Sequence, residues 1–146
     1  RVAEVETPRQ GYVLLKLEPT SGLLPEILPG QFVEVQVQNS PTTLLRRPIS
    51  VNFVDYDKNQ LWLLIHAVGD GTRRLACSQV GDMINCMFPL GNGFSMPATD
   101  GRKVLLVGVY KRQLALLWQN AARGRLRTRV LARRTHSRRP YAARPV

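Results

Sequence analysis

Two adjacent arginines, Arg46 and Arg47, followed by Pro48, Ile49 and Ser50 form the densest chemical feature of this 146-residue sequence. They open a stretch, Ile49 to Val54, that reads as a β-strand. A guanidinium can grip a phosphate through two hydrogen bonds. A hydroxyl and neighbouring backbone N–H groups can meet the polar edge of a planar heterocycle. The same residues also suit a plain surface arginine pair ahead of a strand. Gly69-Asp70-Gly71-Thr72 leads into a short helical stretch, Thr72 to Ser78, with Thr72 as the expected N-cap. Free N–H groups at a helix start favour an anion, glycines let it approach the backbone, and Arg73 and Arg74 add charge. A simple strand–turn–helix accounts for that segment too. Pro89-Leu90-Gly91-Asn92-Gly93-Phe94 suggests a tight loop with left-handed backbone positions, or an ordinary turn. Pro29-Gly30-Gln31-Phe32 reads as a structural turn before a strand.

No Ser-His-Asp, Cys-His or paired-carboxylate set is visible, so no catalytic acid or base is assigned. His66 sits in an apolar strand and His136 in the C-terminal tail. Cys77 and Cys86 fit neither a disulfide framework nor a usual metal spacing. They are expected as buried thiols in a reducing cytoplasm, and no metal ligand is assigned. No apolar run approaches the roughly 20 residues of a membrane helix. The chain opens on Arg1, with Glu4 and Glu6 soon after, which does not read as a signal peptide. Lacking an initiator Met, it is expected to start inside a longer reading frame.

The elements that must position these residues are short. Strands are expected over Gly11–Glu18, Phe32–Gln38, Ile49–Val54, Leu61–Val68 and Met83–Phe88, with turn signals between them. Val33, Val35 and Val37 alternate with Glu34, Gln36 and Gln38, which is period two with one wet face. Five or six such strands and one short helix indicate a mainly β fold, an antiparallel barrel or sandwich. Lys103 to Gly108 is a different signal: an apolar run ending in Gly, as at the first strand of a doubly wound α/β domain. Leu114 to Ala122 could be helical, and from Arg123 onward no useful period remains.

The net charge of +11 is unevenly placed. Residues 1–100 hold 8 Lys/Arg against 10 Asp/Glu, while residues 101–146 hold 13 Lys/Arg and no acid. The first hundred residues therefore have no electrostatic reason to seek phosphate polymers. The acid-free, Arg-rich tail suits a nucleic-acid arm, a solvated tail, or GC-rich DNA read in the wrong frame. The compositional break falls inside a strand–turn, so the preferred expectation is the frame error, with aberrant sequence after about residue 108.

The order and spacing of Pro-Gly-Gln-Phe at 29–32, Arg-Arg-Pro-Ile-Ser at 46–50, Gly-Asp-Gly-Thr at 69–72, Gly-Asp at 81–82 and Pro-Leu-Gly-Asn-Gly-Phe at 89–94 resemble the ferredoxin–NADP reductase superfamily. Within it they resemble the electron-transfer subunits of type B dihydroorotate dehydrogenases. The likeness covers about residues 1–108. It implies a Greek-key FAD-binding barrel over 1–99 and the start of a nicotinamide-binding α/β domain over 100–146. It also implies FAD contacts at Arg47, Pro48, Ile49, Ser50, Leu64, Ile65, His66, Gly71 and Thr72. In the family, a partner catalytic subunit oxidises dihydroorotate within a heterotetramer. Electrons then pass through a [2Fe–2S] cluster to FAD and on to NAD, in pyrimidine biosynthesis. Another reductase of the superfamily, or a barrel used only for binding, fits the same motifs. Four departures stand out. The Gly-rich turn expected after Gly108 is absent. No cysteine follows Cys86 to ligate the cluster. Ile49 stands where many relatives have Tyr, and Phe88 where many have Gly.

Overall fold

Val33 and Val35 are buried and Glu34 between them is not, so the alternation in the sequence becomes the inward and outward faces of a strand. The computed structural model describes residues 1–41 and 43–95, together with the backbone strands Lys103–Gly108 and Arg127–Ala132. Six antiparallel strands form one sheet: β1 (Val2–Arg9), β2 (Tyr12–Leu17), β3 (Phe32–Val35), β4 (Arg47–Asp55), β5 (Gln60–His66) and β6 (Cys86–Leu90). Their order is β1-β2-β5-β4-β3-β6, so the chain crosses over twice, as in a Greek key. Helix α1 (Asp70–Ala76) follows β5. The edge strand β1 is tied at Val2 to the connection that leads into β6, the other edge: Val2 N–H donates to Asp82 O at 2.8 Å and its carbonyl accepts from Gly81 N at 2.9 Å. The sheet is thereby curled around a core of Leu15, Val33, Val51, Val54, Leu61, Leu63 and Ile65. Each such side chain contributes roughly 1.5–3 kcal/mol by leaving water. The mainly β, barrel-type fold expected from the sequence is the fold observed.

Several boundaries differ from the sequence expectations. β1 had no counterpart, because bulges between Val2 and Glu4 and between Glu6 and Arg9 break its period-two pattern. The strand expected at Met83–Phe88 lies at Cys86–Leu90. Residues 81–82 bond to Val2, and Asn85 O accepts from Gln36 N at 2.9 Å, so the segment before Cys86 serves as a connection. Pro89 is tolerated in β6 because, among the described residues, β6 pairs with β3 on one side alone. Phe88 packs against the core. Cys77, expected to be buried, is exposed at the end of α1.

On the outer face Lys16 lies between Glu4 (2.9 Å) and Glu6 and over the Trp62 ring, 4.4 Å from its centroid. Burial works against the Lys16 charge, but hydrogen bonds to Glu6 and Glu4 outweigh it, and its pKa ends above the ordinary lysine value. The same bond to Lys16 is the chief reason Glu4 is held below the usual carboxylate range.

The expected strand at Lys103–Gly108 is present as β7. It pairs in parallel with β8 (Arg127–Ala132), Lys103 opposite Arg127 and Gly108 opposite Ala132. The sequence reading left that second stretch without regular structure. The helical stretch considered over 114–122 lies outside the described residues, as does His136. Among the described residues no helix is long and apolar enough to cross a membrane.

Candidate functional site

Strand β4 changes partners along its length. Residues Arg47 to Ser50 pair with Val35 to Phe32 of β3, whereas Val51 to Asp55 pair with Leu63 to Gln60 of β5. The last residues of β5, Leu64, Ile65 and His66, pair with Leu14, Val13 and Tyr12 of β2. β4 and β5 therefore run together as far as Val51 opposite Leu63 and then part, one toward β3 and the other staying with β2. The segments 47–50 and 64–66 flank the mouth so formed. Pro48, which has no N–H to give a ladder, fits here because β4 has only β3 beside it at this point.

The two arginines at the mouth do different work. Arg46 spans outward, its Nη1 donating to Glu34 O (3.3 Å) and Asn85 O (3.2 Å) and its Nη2 to Asn85 Oδ1 (2.7 Å). It ties β3, β4 and the approach to β6 together. Arg47 donates through Nη1 to the carbonyls of Leu45 and Arg46, both at 3.3 Å and near the limit of a useful hydrogen bond. Among the described residues no carboxylate pairs with it, so its charge is available to an anion.

Arg47 reaches across to the start of α1. A Cβ placed on Gly71 would lie 2.5 Å from Arg47 Nε and 3.2 Å from both Arg47 Cγ and Thr43 Cγ2. Gly71 is buried, and its missing side chain is the space the Arg47 stem occupies. The two motifs singled out from the sequence thus meet in one place. Thr43, 5% exposed beneath them, was not anticipated; nothing in the spacing of a lone threonine signals it.

Thr72 departs from its expected role. Gly69 is the N-cap and Thr72 lies in the first turn. Its Oγ1 accepts from Gly69 N (3.0 Å) and Val68 N (3.2 Å) and donates to Gly69 O (3.0 Å), fixing the turn between β5 and α1. Arg73 and Arg74, expected to add charge, are engaged: Arg73 with Val68 O and Asp70, Arg74 with Asn39 O at 2.6 Å.

The remaining expected contacts divide by strand alternation. Ile49 and Ile65 point into the core, so what they offer the mouth is backbone. Leu64 and His66 lie on the other face, the His66 ring flat on Tyr12 with centroids 4.2 Å apart. Pro48 is exposed and Ser50 half-buried. Cys86 is mostly buried, and that desolvation pushes its thiol up to about 11.

The two proline–glycine motifs form a separate clamp. Phe94 N donates to Pro29 O at 2.7 Å, and Gln31 Nε2 donates to Gly91 O at 3.0 Å. Gly30 and Gly91 have φ of 101° and 77°, and a Cβ on either would meet Phe94 at 3.1 Å or Phe32 at 2.8 Å. Glycine is required there on both counts. The clamp ties the start of β3 to the end of β6, next to Ser50, which pairs with Phe32.

The chain aligns with curated dihydroorotate dehydrogenase B (NAD(+)) electron transfer subunits. That of Lysinibacillus sphaericus is 44% identical over 87 residues, 59% of this chain and 34% of the relative. That of Bacillus mycoides is 47% identical over 81 residues, 55% of this chain and 31% of the relative. Over those stretches the chain is similar to these subunits. It spans about a third of the length of these curated relatives. No protein-family model matches it. Its fold is similar to that of an NADH-dependent reduced ferredoxin–NADP oxidoreductase, with TM-score 0.69, 21% identity, and 90% of this chain and 46% of that one covered. Phthalate dioxygenase reductase aligns with TM-score 0.73 and 16% identity over 90% of this chain and 41% of that one. The likeness to these two structures is one of fold.

Proposed function

We propose that this chain binds FAD at the mouth between β4 and β5 and serves as an electron-transfer component. The observation that carries the reading is the convergence of Arg47 and Gly71: a guanidinium with no carboxylate partner among the described residues, its stem seated in the space Gly71 leaves at the start of α1. A glycine at a helix start beside a guanidinium that no carboxylate pairs among the described residues suits a pyrophosphate. In this reading Arg47 grips the pyrophosphate, and Gly71 with Thr72 keeps the helix start open beneath it. The backbones of Pro48, Ile49 and Ser50 on one side and Leu64, Ile65 and His66 on the other hold the ring system, with the Ser50 hydroxyl at its polar edge. The Ile49 side chain supports β4 from the core. When bound, FAD supplies the redox chemistry, and the protein supplies position and electrostatics.

In this reading the electron source is dihydroorotate oxidised on a partner catalytic subunit and the final acceptor is NAD, in a cytoplasmic pathway; the names of the similar subunits support the electron-transfer role. The α/β reading of residues 100–146 as the start of a nicotinamide domain is supported by the parallel pairing of β7 with β8. The residues present do not fit an iron–sulfur cluster. No cysteine follows Cys86, and the described residues hold no group of three His, Cys, Asp or Glu that could take a metal. No step is assigned through such a cluster. The test is a visible absorption spectrum of the purified chain with the dihydroorotate-oxidising subunit encoded in the same genome. Flavin absorbance that bleaches on adding dihydroorotate is expected. A colourless chain that takes up no added FAD contradicts the reading.

A further inference from the structure

Leu44 and Leu45 are 90% and 76% exposed, adjacent, and immediately before the Arg46–Arg47 pair at the mouth. Their loop is anchored. Arg74 Nη2 donates to Asn39 O at 2.6 Å, Thr43 N to Ser40 O at 3.3 Å, and Arg47 Nη1 to Leu45 O at 3.3 Å. Thr43 is buried against the Arg47–Gly71 contact. The backbone is thus tied to the barrel and to α1 while two large apolar side chains point to water. The bonds at Asn39, Ser40, Thr43 and Leu45 hold the pair in place, which favours a rigid contact. Its surroundings are basic. Arg46 follows it directly in the chain, and Arg74 holds its Asn39 carbonyl. An apolar knob with a cationic rim fits an apolar socket bordered by carboxylates.

We infer that Leu44 and Leu45 form the knob on which an electron-donating partner subunit docks, its contact face being an apolar socket rimmed by acidic side chains. The inference rests on the flavin reading above, because a donor must dock beside the mouth that holds the electron acceptor, and this exposed pair lies there.

The test uses the full chain loaded with FAD and the dihydroorotate-oxidising subunit from the same genome, with affinity followed by sedimentation or surface binding. The Leu44→Ser/Leu45→Ser variant is expected to retain FAD and its thermal midpoint, because neither side chain is buried. Its affinity for the partner should fall roughly 100-fold, the scale of losing a central apolar contact. Added salt should weaken the unsubstituted pair as the charged rim is screened. A variant that binds the partner as tightly as the unsubstituted chain overturns the knob and leaves the flavin reading standing. An unsubstituted, FAD-loaded chain that does not bind the partner overturns both the knob and the proposed assembly. Concentration-dependent dimerisation of the chain alone, lost in the variant, makes a second copy the occupant and also overturns it.

Discussion

A methyl group added at Gly71 separates stability from cofactor retention. Gly71 is helical with no positive φ, so its backbone accepts alanine, which by propensity gains up to about 1 kcal/mol over glycine. The new Cβ would stand 2.5 Å from Arg47 Nε, which must swing away; Thr43 Cγ2, at 3.2 Å, needs to give only a few tenths of an ångström. Nε lies toward the far end of a flexible side chain, so the displacement costs the folded state little. The unliganded Gly71→Ala protein should unfold within about 1 kcal/mol of the unsubstituted one. FAD binding should suffer much more. Losing charge-assisted hydrogen bonds to a phosphate costs about 1.5–3 kcal/mol, or roughly 10- to 150-fold in Kd. Flavin fluorescence titration reads the affinity and thermal melts of apoprotein read the stability. In an Arg47→Ala background the Gly71→Ala change should add almost nothing, because the displaced group is already gone. Gly71→Ala protein that binds FAD at unchanged affinity, or costs that simply add, would refute the idea that Gly71 exists to seat Arg47.

Other expectations follow from the same geometry. Exposed Cys77 should react with a thiol reagent near pH 8 more than about tenfold faster than Cys86, whose thiolate is scarce with its pKa near 11 and whose side chain is largely buried. The Glu4→Gln/Glu6→Gln variant leaves Lys16, 8% exposed, without counter-charges, so it should melt lower at pH 7. Glu4 is depressed in the folded state, so its contribution exists above the unfolded carboxylate pKa and fades as pH falls through the folded value. The gap between the two melting curves should therefore close toward acid pH; a gap that persists there removes the ion-pair explanation. Lys16 has the opposite sign: its raised pKa stabilises the fold until pH climbs through that value at the alkaline end. In the gene, an alternative frame after codon 108 is expected to encode a Gly-rich turn and later cysteines; no such frame means the tail is genuine.

The barrel was legible where side-chain alternation is regular. Phe32 to Val37 showed its inward and outward faces directly, and Leu61 to His66 read as a buried strand. β1 was illegible because its two bulges shift the pattern by a residue, and local periodicity cannot register a bulge set by its partner. The site was legible as separate motifs, but not as one place. Nothing in the spacing from Arg47 to Gly71 says that a side chain from one fills the gap at the other; that comes from β4 pairing with β5 only from Val51 onward, its first residues lying beside β3. The different tasks of Arg46 and Arg47 were hidden for the same reason, since Asn85, the partner that occupies Arg46, lies far along the chain. Thr72 was placed one turn too early because a hydroxyl before an apolar run looks like a cap, whereas its bonds to Gly69 come from inside the first turn.

The central claim, that FAD is held at the mouth where Arg47 crosses to Gly71, is tested most directly by equilibrium titration of the full chain with FAD beside its Arg47→Ala variant. One flavin per chain is expected for the unsubstituted protein, with affinity falling roughly 10- to 150-fold in the variant while the apoprotein melt is little changed. A chain that binds no FAD, or an Arg47→Ala variant that binds it equally well, contradicts the account.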